Sequence, residues 1–158
     1  GRRDKEILDV VSKFNCPFVI THSRGNSKNM NELSKYENVL REVKSSLEIL
    51  INDAFDKNIS EGNIIVDPGI GFSKDINQNL EILRNLDVFK ELNLPILIGA
   101  SRKRFIREIL DEKNPKERDI GTLAISCLCS QFNIDIVRVH NVKMNYQILK
   151  VADSIYRE

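Results

Sequence analysis

The sequence predicts an α/β fold with parallel strands, and three observations lead to that prediction. Short apolar runs of strand length alternate along the chain with longer segments in which apolar residues recur at helical spacing. No two apolar runs are joined by the tight turn of a hairpin, so consecutive strands need crossover connections, which run right-handed between parallel strands. The polar residues that fit neither pattern lie in the loops that follow the strands. Two architectures satisfy this order: a doubly wound open sheet and one half of an eight-stranded barrel.

Each element is predicted from its own pattern. Apolar runs predict strands at residues 18–20, 64–66, 96–98 and 134–140. Helical spacing predicts helices at residues 4–13, 38–55, 80–89 and 121–132, a short helix that ends at Leu110, and a last helix from Val142. The residues of the last two helices expected to face the core are Leu123, Ala124, Cys127, Leu128, Ile148, Leu149, Ala152 and Ile155.

The composition limits the classes of protein to consider. At 158 residues the chain is predicted to form a single segment, residues 1–158, with room for a substantial core. Its net charge of +1 argues against a nucleic-acid-binding surface, which needs a strong basic excess. No apolar run reaches the length of a membrane span and the N-terminus has no signal peptide, so no membrane partner is expected. Three cysteines and two histidines without a Cys-x-x-Cys pair predict no zinc site and a reducing, cytoplasmic compartment.

The first candidate site residue is Asp67, which ends the apolar run at residues 64–66. The loop that follows it, residues 67–72, reads Asp-Pro-Gly-Ile-Gly-Phe. A carboxylate at the carboxyl end of a buried parallel strand, just before a glycine-rich loop, is where α/β proteins place functional groups. An ordinary turn at the strand exit explains the same residues equally well. The loop has too few glycines for a dinucleotide-binding fingerprint.

Arg138 and His140 form the second candidate group. Strand periodicity places both side chains on one face of the last strand, opposite Val137 and Val139. An arginine within a buried strand is costly unless it is paired or faces a ligand. Arg138 in a salt bridge and His140 in the core are the alternative, but two cationic groups at one strand end favour an anion site.

Three cations follow the third strand, in the segment Ser101-Arg-Lys-Arg104. Such a run is usually a solvated surface, and it also resembles a basic nucleic-acid patch. Its position directly after Gly99 predicts that at least one cation faces the shared mouth of the loops. His22 and Arg24 are weaker candidates, for which a role in ordering their loop is equally compatible.

Together these residues predict transfer chemistry. The expected site has one carboxylate, one lysine, arginines and a histidine, without a nucleophile–base pair or a second carboxylate for glycosidase chemistry. A carboxylate accepts hydrogen bonds from an amino-substituted heterocycle, while cations stabilise a phosphorylated leaving group. The pattern therefore favours a reaction in which pyrophosphate departs.

Four motifs resemble the dihydropteroate synthase family of folate synthesis, the target of sulfonamides. They are residues 67–72, the Gly-Ala-Ser-Arg-Lys of residues 99–103, the Arg-Val-His of residues 138–140, and the Thr-His-Ser-Arg-Gly of residues 21–25. The first three occur in the order and spacing of that family, and the fourth looks like its Met-His-Met-Arg-Gly segment with both methionines replaced. The resemblance covers the chain from about Ile7 onward. It implies the last four strand–helix units of a (β/α)₈ TIM barrel.

The resemblance also implies an activity: condensation of a hydroxymethyl-dihydropterin pyrophosphate with p-aminobenzoate, with release of pyrophosphate. The pterin would be bound by Asp67, Gly99, Lys103 and Arg138. The pyrophosphate would be bound by Arg138 and His140, and p-aminobenzoate by Phe72, Ser101 and Arg104. Lys103, Arg138 and His140 would carry the catalysis.

The sequence departs from the family at several points. Arg104 stands where many relatives have serine, Asn141 replaces an aspartate, and Thr21 and Ser23 replace methionines. The first half of the barrel is missing, and the resemblance places the ligand for Mg²⁺ there. The missing half is therefore an expected partner, the fragment alone is expected to be inactive, and the full-length enzyme is expected to be a homodimer.

Other functions remain open at the level of sequence. A pterin-binding methyltransferase shares the barrel and the aspartate, but it needs no cations for pyrophosphate. A barrel half that binds pterin without catalysis, or serves only as a structural partner, is a non-enzymatic alternative. A nucleic-acid module built on residues 102–104 is disfavoured by the net charge.

Overall fold

A computed structural model describes residues 6–25 and 33–157 of the chain. Strands and helices alternate through most of its length. The strands are β1 Phe18–Thr21, β2 Ile64–Asp67, β3 Leu97–Ile98 and β4 Ile136–Val137. The helices are α1 Glu6–Phe14, α2 Val39–Phe55, α3 Ile76–Arg84, α4 Arg104–Leu110, α5 Asp119–Gln131 and α6 Val142–Tyr156, with 3-10 helices at Glu61–Asn63, Leu86–Leu92 and Lys116–Arg118.

The strands pair in chain order, and every pairing is parallel. β1 runs beside β2 from Phe18 opposite Ile64 onward, and β3 runs beside β4. A parallel bridge between Val66 and Ile96 joins the two pairs. A doubly wound sheet reverses its strand order partway, whereas a barrel adds each strand beside the previous one. The order β1-β2-β3-β4 is therefore that of a half-barrel, which confirms the predicted fold class.

The core lies between the strands and the helices that cross back over them. α2 contributes one continuous face, because Val43, Leu47 and Ala54 recur at helical spacing and are fully buried. Ile64 and Val66 of β2 and Phe89 of a 3-10 helix are also fully buried. Among the helices of the described residues, none combines the length and apolar character needed to cross a membrane.

Two predicted elements have different bounds in the structure. The helix predicted at residues 80–89 begins earlier, at Ile76, because the Asp75 side chain accepts the backbone N–H of Gln78 and the Gln78 side chain accepts the backbone N–H of Asp75. β4 is shorter than residues 134–140, although the Arg138 N–H still donates to the Ile98 carbonyl at 3.0 Å. Asp4 and Lys5 of the first predicted helix lie outside the described residues.

The predicted inward faces of α5 and α6 are partly wrong. Ala124 is exposed and Ile155 is 68% exposed. The two helices pack on each other through small and polar residues instead: the Ser126 hydroxyl donates to the Asn145 side chain at 2.6 Å. Periodicity identified an apolar stripe but could not show which stripe meets the neighbouring helix. Apolar side chains on both helices are consequently left at the surface, including Ile120, Val142, Val151 and Ile155.

The core of α2 provides a test of the fold. Replacing Leu47 by alanine should lower the free energy of unfolding by about 2–5 kcal/mol, because a fully buried leucine leaves a cavity. Ile49 on the same helix is 57% exposed, and Ile49→Ala should change the free energy of unfolding by less than about 0.5 kcal/mol. Urea unfolding measures both, and equal losses would contradict the placement of α2.

Candidate functional site

Asp67 lies at the carboxyl end of β2 with a carboxylate that is almost completely buried, at 1% exposure. One carboxylate oxygen accepts the backbone N–H of Gly69 at 2.7 Å. The other accepts Arg138 Nη2 at 3.2 Å and, more distantly, the Thr21 hydroxyl at 3.5 Å. Donors from β1, from the following loop and from the end of β4 therefore converge on one side chain.

Burial and the neighbouring donors have opposite effects on this carboxyl group. Desolvation raises the pKa of Asp67, while the Gly69 N–H and the charges of Arg138, Lys74 and Lys103 lower it. The same burial lowers the pKa of Lys103, which Asp67 opposes. The site thus brings Asp67 and Lys103 together, where the charge of each shifts the pKa of the other.

Two glycines allow the backbone to approach these groups closely. Gly69 has a φ of +71°, and a side chain there would collide with the carbonyl of His22, the residue after β1. At Gly99 a Cβ would lie only 2.7 Å from Arg138 Nη2. The guanidinium therefore lies against the backbone at the end of β3, in space that any other residue would fill.

A pocket of about 260 Å³ opens beside this guanidinium. Its lining residues are Gly99, Ser101, Lys103, Arg138, Val139 and His140. The Ser101 hydroxyl lies 2.9 Å from Nδ1 of His140 and accepts the backbone N–H of His140 at 3.2 Å. Since a hydroxyl that accepts one hydrogen bond is free to donate another, Nδ1 is the natural acceptor and Nε2 then carries the proton. Ser101 thereby fixes the orientation of the imidazole.

The structure decides between the alternatives that the sequence left for Arg138 and His140. Arg138 does form a salt bridge, but its partner is Asp67 and its side chain remains 54% exposed. His140 is exposed and lines the pocket, so it is not a core histidine. Both side chains face the same opening, as strand periodicity predicted.

The three consecutive cations occupy three different environments. The Arg102 guanidinium makes a two-point contact with Asp119 at 2.7 and 2.9 Å. Lys103 turns into the pocket, and its Nζ lies 3.8 Å from the centre of the Phe72 ring. Arg104 pairs with Glu108 at 2.6 Å and is 71% exposed. Only Lys103 of this run joins the pocket beside Arg138, as the position after Gly99 predicted for at least one cation.

Arg104 lines a second and larger pocket of about 480 Å³ between the loop after β2 and the start of α4. The other lining residues are Ser34, Gly71, Lys74, Asp75, Ile76, Asn77, Asn79, Phe105 and Glu108. Phe72 adjoins Lys103 of the first pocket, and Gly71 belongs to the second. The two pockets are therefore neighbours, but Arg104 does not line the one that contains Ser101 and Lys103.

The loop after β1 is ordered by its own residues. Arg24 donates to the Lys35 carbonyl at 2.6 Å and to Glu42 at 2.7 Å, and its guanidinium stacks 3.8 Å above the Tyr36 ring. This pairing, with two further backbone N–H donors, lowers the pKa of Glu42 to about 2. Arg24 therefore has the loop-ordering role that the sequence left open.

Lys74 and Asn79 of the site were missed from the sequence, and Thr21 was noted there only as a replacement for a methionine. Lys74 is buried beside His22, with Nζ 3.0 Å from Nδ1 of the imidazole. Asn79 accepts the Gly71 N–H at 2.6 Å, and the Thr21 hydroxyl reaches Asp67. A polar side chain on the apolar stripe of α3 was the available signal for Asn79. No local sequence signal distinguishes Lys74 from other charged loop residues.

The described residues contain no group of three or more histidine, cysteine, aspartate or glutamate side chains placed to hold a metal ion. The carboxylate of Asp67 is already hydrogen-bonded to Arg138 and the Gly69 N–H. This donor set does not fit Mg²⁺, which prefers several oxygen ligands. The arrangement fits a different task, in which a buried acceptor binds N–H donors of a heterocycle and cations beside it bind an anion.

Comparison with known proteins agrees with this geometry. Residues 1–140 match the family described as "Pterin binding enzyme". The dihydropteroate synthase of Synechocystis sp. is 41% identical over 154 residues, which cover 98% of this chain and 53% of the relative. The chain therefore spans about half the length of the curated relatives it matches.

Solved structures extend the similarity to three dimensions. Dihydropteroate synthase from Clostridium difficile, crystallised in the presence of pteroic acid, has a TM-score of 0.91 at 35% identity, over 99% of this chain and 57% of the other. The Xanthomonas albilineans enzyme with 4-aminobenzoic acid has a TM-score of 0.90 at 31% identity, over 99% of this chain and 55% of the other. A family match over most of the chain and a shared fold lead to one conclusion: the chain belongs to the pterin-binding enzyme family.

Proposed function

We propose that this chain, as one segment of residues 1–158, supplies the C-terminal half of a dihydropteroate synthase barrel. The observation that carries the proposal is the buried carboxylate of Asp67, which faces Arg138 and adjoins Lys103 at the mouth formed by parallel strands. Relatives named dihydropteroate synthase, and neighbours solved with pteroic acid or 4-aminobenzoic acid, support it.

The proposed roles follow from the chemistry of each group. Asp67 accepts hydrogen bonds from the amino-pyrimidine edge of the pterin, and Lys103 donates to the ring oxygen and nitrogen. Gly99 leaves room for the ring beside Arg138. Arg138 packs on the ring and reaches the pyrophosphate, where His140, oriented by Ser101, donates from Nε2.

The proposed reaction breaks the bond between the pterin methylene carbon and the pyrophosphate oxygen, and the bonding electrons leave with the pyrophosphate. Arg138, Lys103 and His140 stabilise the charge that develops on this leaving group. The aniline nitrogen of p-aminobenzoate then bonds to the methylene and loses a proton to solvent. Phe72 and Ser101 lie close enough to Lys103 and His140 to border the aminobenzoate path. Arg104 is suited to the carboxylate at its outer end.

The family implies Mg²⁺, but the residues of this half do not fit a magnesium site, and no step here depends on one. The metal would belong to the other half of the barrel. We propose that this other half is the first partner of the chain. The completed enzyme is then a homodimer in the cytoplasm. Small-molecule substrates, rather than nucleic acid or membrane, are the ligands.

A reconstituted barrel tests the proposal. The completed barrel is defined as this chain joined to the N-terminal half of the Synechocystis relative. It should bind the pterin pyrophosphate and release pyrophosphate when p-aminobenzoate is added, whereas the 158-residue chain alone should show no turnover. Turnover by the chain alone would contradict the need for the other half of the barrel. Pterin binding by the completed barrel without turnover would contradict the synthase assignment. The second of these outcomes would favour a non-catalytic pterin-binding protein.

Asp67→Asn separates stability from binding. Asparagine still accepts from Gly69 but loses the charge, so pterin affinity should fall about tenfold or more. Because the folded pKa of Asp67 is raised, its ionisation costs stability once the pH exceeds the unfolded value of 3.8. The melting temperature of the variant relative to the wild type should therefore rise between pH 4 and pH 7. A fall of this difference over that range would show that the raised pKa is wrong.

His140→Ala should weaken binding of the pterin pyrophosphate about tenfold and leave binding of the unphosphorylated hydroxymethylpterin unchanged. Arg138→Ala should weaken both, because Arg138 is proposed to contact the ring as well. Calorimetry with the two ligands measures the difference, and Arg84→Ala, an exposed arginine of α3, is the matched control. Equal losses for both ligands in His140→Ala would remove His140 from the pyrophosphate site.

A further inference from the structure

Lys74 is a buried cation to which the proposed reaction assigns no role. Its side chain lies inside the loop that follows Asp67, with the residue 8% exposed. Nζ donates to the carbonyl of Gly69 at 2.9 Å and to that of Phe72 at 3.0 Å, and Nδ1 of His22 lies 3.0 Å away. An ammonium group has three donors; two reach these carbonyls, and the third reaches Nδ1 of His22 when the ring proton is on Nε2.

These contacts connect Lys74 to both halves of the proposed site. The backbone N–H of Gly69, whose carbonyl Lys74 holds, donates to Asp67. The ring of Phe72, whose carbonyl it also holds, faces Lys103 Nζ at 3.8 Å. Gly69 therefore links Nζ of Lys74 to the carboxylate of Asp67. Phe72 links it to Lys103 in the pocket.

The charges around Lys74 oppose one another. Burial lowers its pKa to about 7, the charge of Asp67 raises it, and the charges of Arg24 and Lys103 lower it further. The imidazole of His22 is the titratable group in direct contact. In return, the positive charge of Lys74 lowers the pKa of Asp67.

Holding the loop closed does not by itself require a cation. Asn79 already anchors the same loop with a neutral amide, which accepts from the Gly71 N–H at 2.6 Å and donates to the Asp75 carbonyl at 2.6 Å. Burying an ammonium is far more costly than burying an amide. A cation at this position is therefore explained better by its effect on charged neighbours than by loop closure alone.

We propose that Lys74 is a positioning residue of the pterin site: its ammonium holds the segment 67–74 against His22 and keeps Asp67 a charged hydrogen-bond acceptor. This inference rests on the proposed function, since Asp67 is the group on which it acts. Lys74 itself contacts no substrate in this scheme.

Lys74→Met in the completed barrel tests both parts. Without the charge, Asp67 holds its proton to higher pH, so the acid limb of the profile of pterin affinity against pH should move up by about 0.5–1 pH unit. Without the two carbonyl contacts, Phe72 loses its position and KM for p-aminobenzoate should rise about fivefold or more, with a smaller change in kcat. The exposed Lys90→Met is the control and should change neither quantity.

Lys74→Gln separates charge from hydrogen bonding. The amide can still donate to the two carbonyls but carries no charge. The acid limb should shift as in Lys74→Met, while KM for p-aminobenzoate should return toward the wild-type value. A folded variant of either kind with an unshifted acid limb would overturn the proposal, because loop closure alone does not move that limb.

The wild-type protein supplies a measurement that depends on no variant and no ligand. The nitrogen-15 signal of Lys74 Nζ at pH 6 should be that of an ammonium whose protons exchange slowly with water, because all three are hydrogen-bonded. A rapidly exchanging amine would overturn the inference even if neither variant folds. A completed barrel that fails to bind pterin while showing the slow ammonium would instead contradict the proposed function alone.

Discussion

The buried carboxylate of Asp67 is the constraint on which the rest of the site depends. An ionised carboxylate without donors would be destabilising by several kcal/mol at 1% exposure. Its donors come from β1, from the loop after β2 and from the residue after β4, 71 positions away in the chain. They meet because all four strands run parallel and end at one edge. The composition of the site thus depends on the parallel pairing of the sheet, since reversing the direction of β4 would move Arg138 away from Asp67.

Position, rather than charge, distinguishes the three cations after β3. Arg102 is bound to Asp119 by two hydrogen bonds, and Asp119 also accepts from Asn141 at the start of α6. This pairing fixes the segment that carries Ser101 against the helix that follows His140. Lys103, between two arginines that have partners, turns toward the pocket. A run of like charges at a strand end can therefore divide into a structural arginine, a site lysine and a surface arginine.

The elements that sequence predicted well are those set by local rules. Strand runs, the carboxyl-end loops and the glycines at positions 69 and 99 follow from chain geometry, and they placed Asp67, Lys103, Arg138 and His140 together. Contacts between distant segments were not predictable in this way. The buried face of α5 depends on which small residues meet α6, and the burial of Lys74 depends on His22, 52 residues earlier. The alternative in which Asp67 only forms a turn gave way because Arg138 reaches it from another strand.

The half-barrel also accounts for strand edges that have no pairing partner among the described residues. In the described part of the chain β1 pairs with β2 alone and β4 pairs with β3 alone, so each has one edge open to further pairing. Open strand edges favour association with another chain. Four additional parallel strands would satisfy both edges at once, and closing the barrel in this way is the arrangement that an eight-stranded parallel barrel requires. In the barrel proposed above, the same closure would place further loops opposite Asp67 and Arg138. In that proposed barrel, the strands that pair with the open edges also carry the loops that complete the pocket.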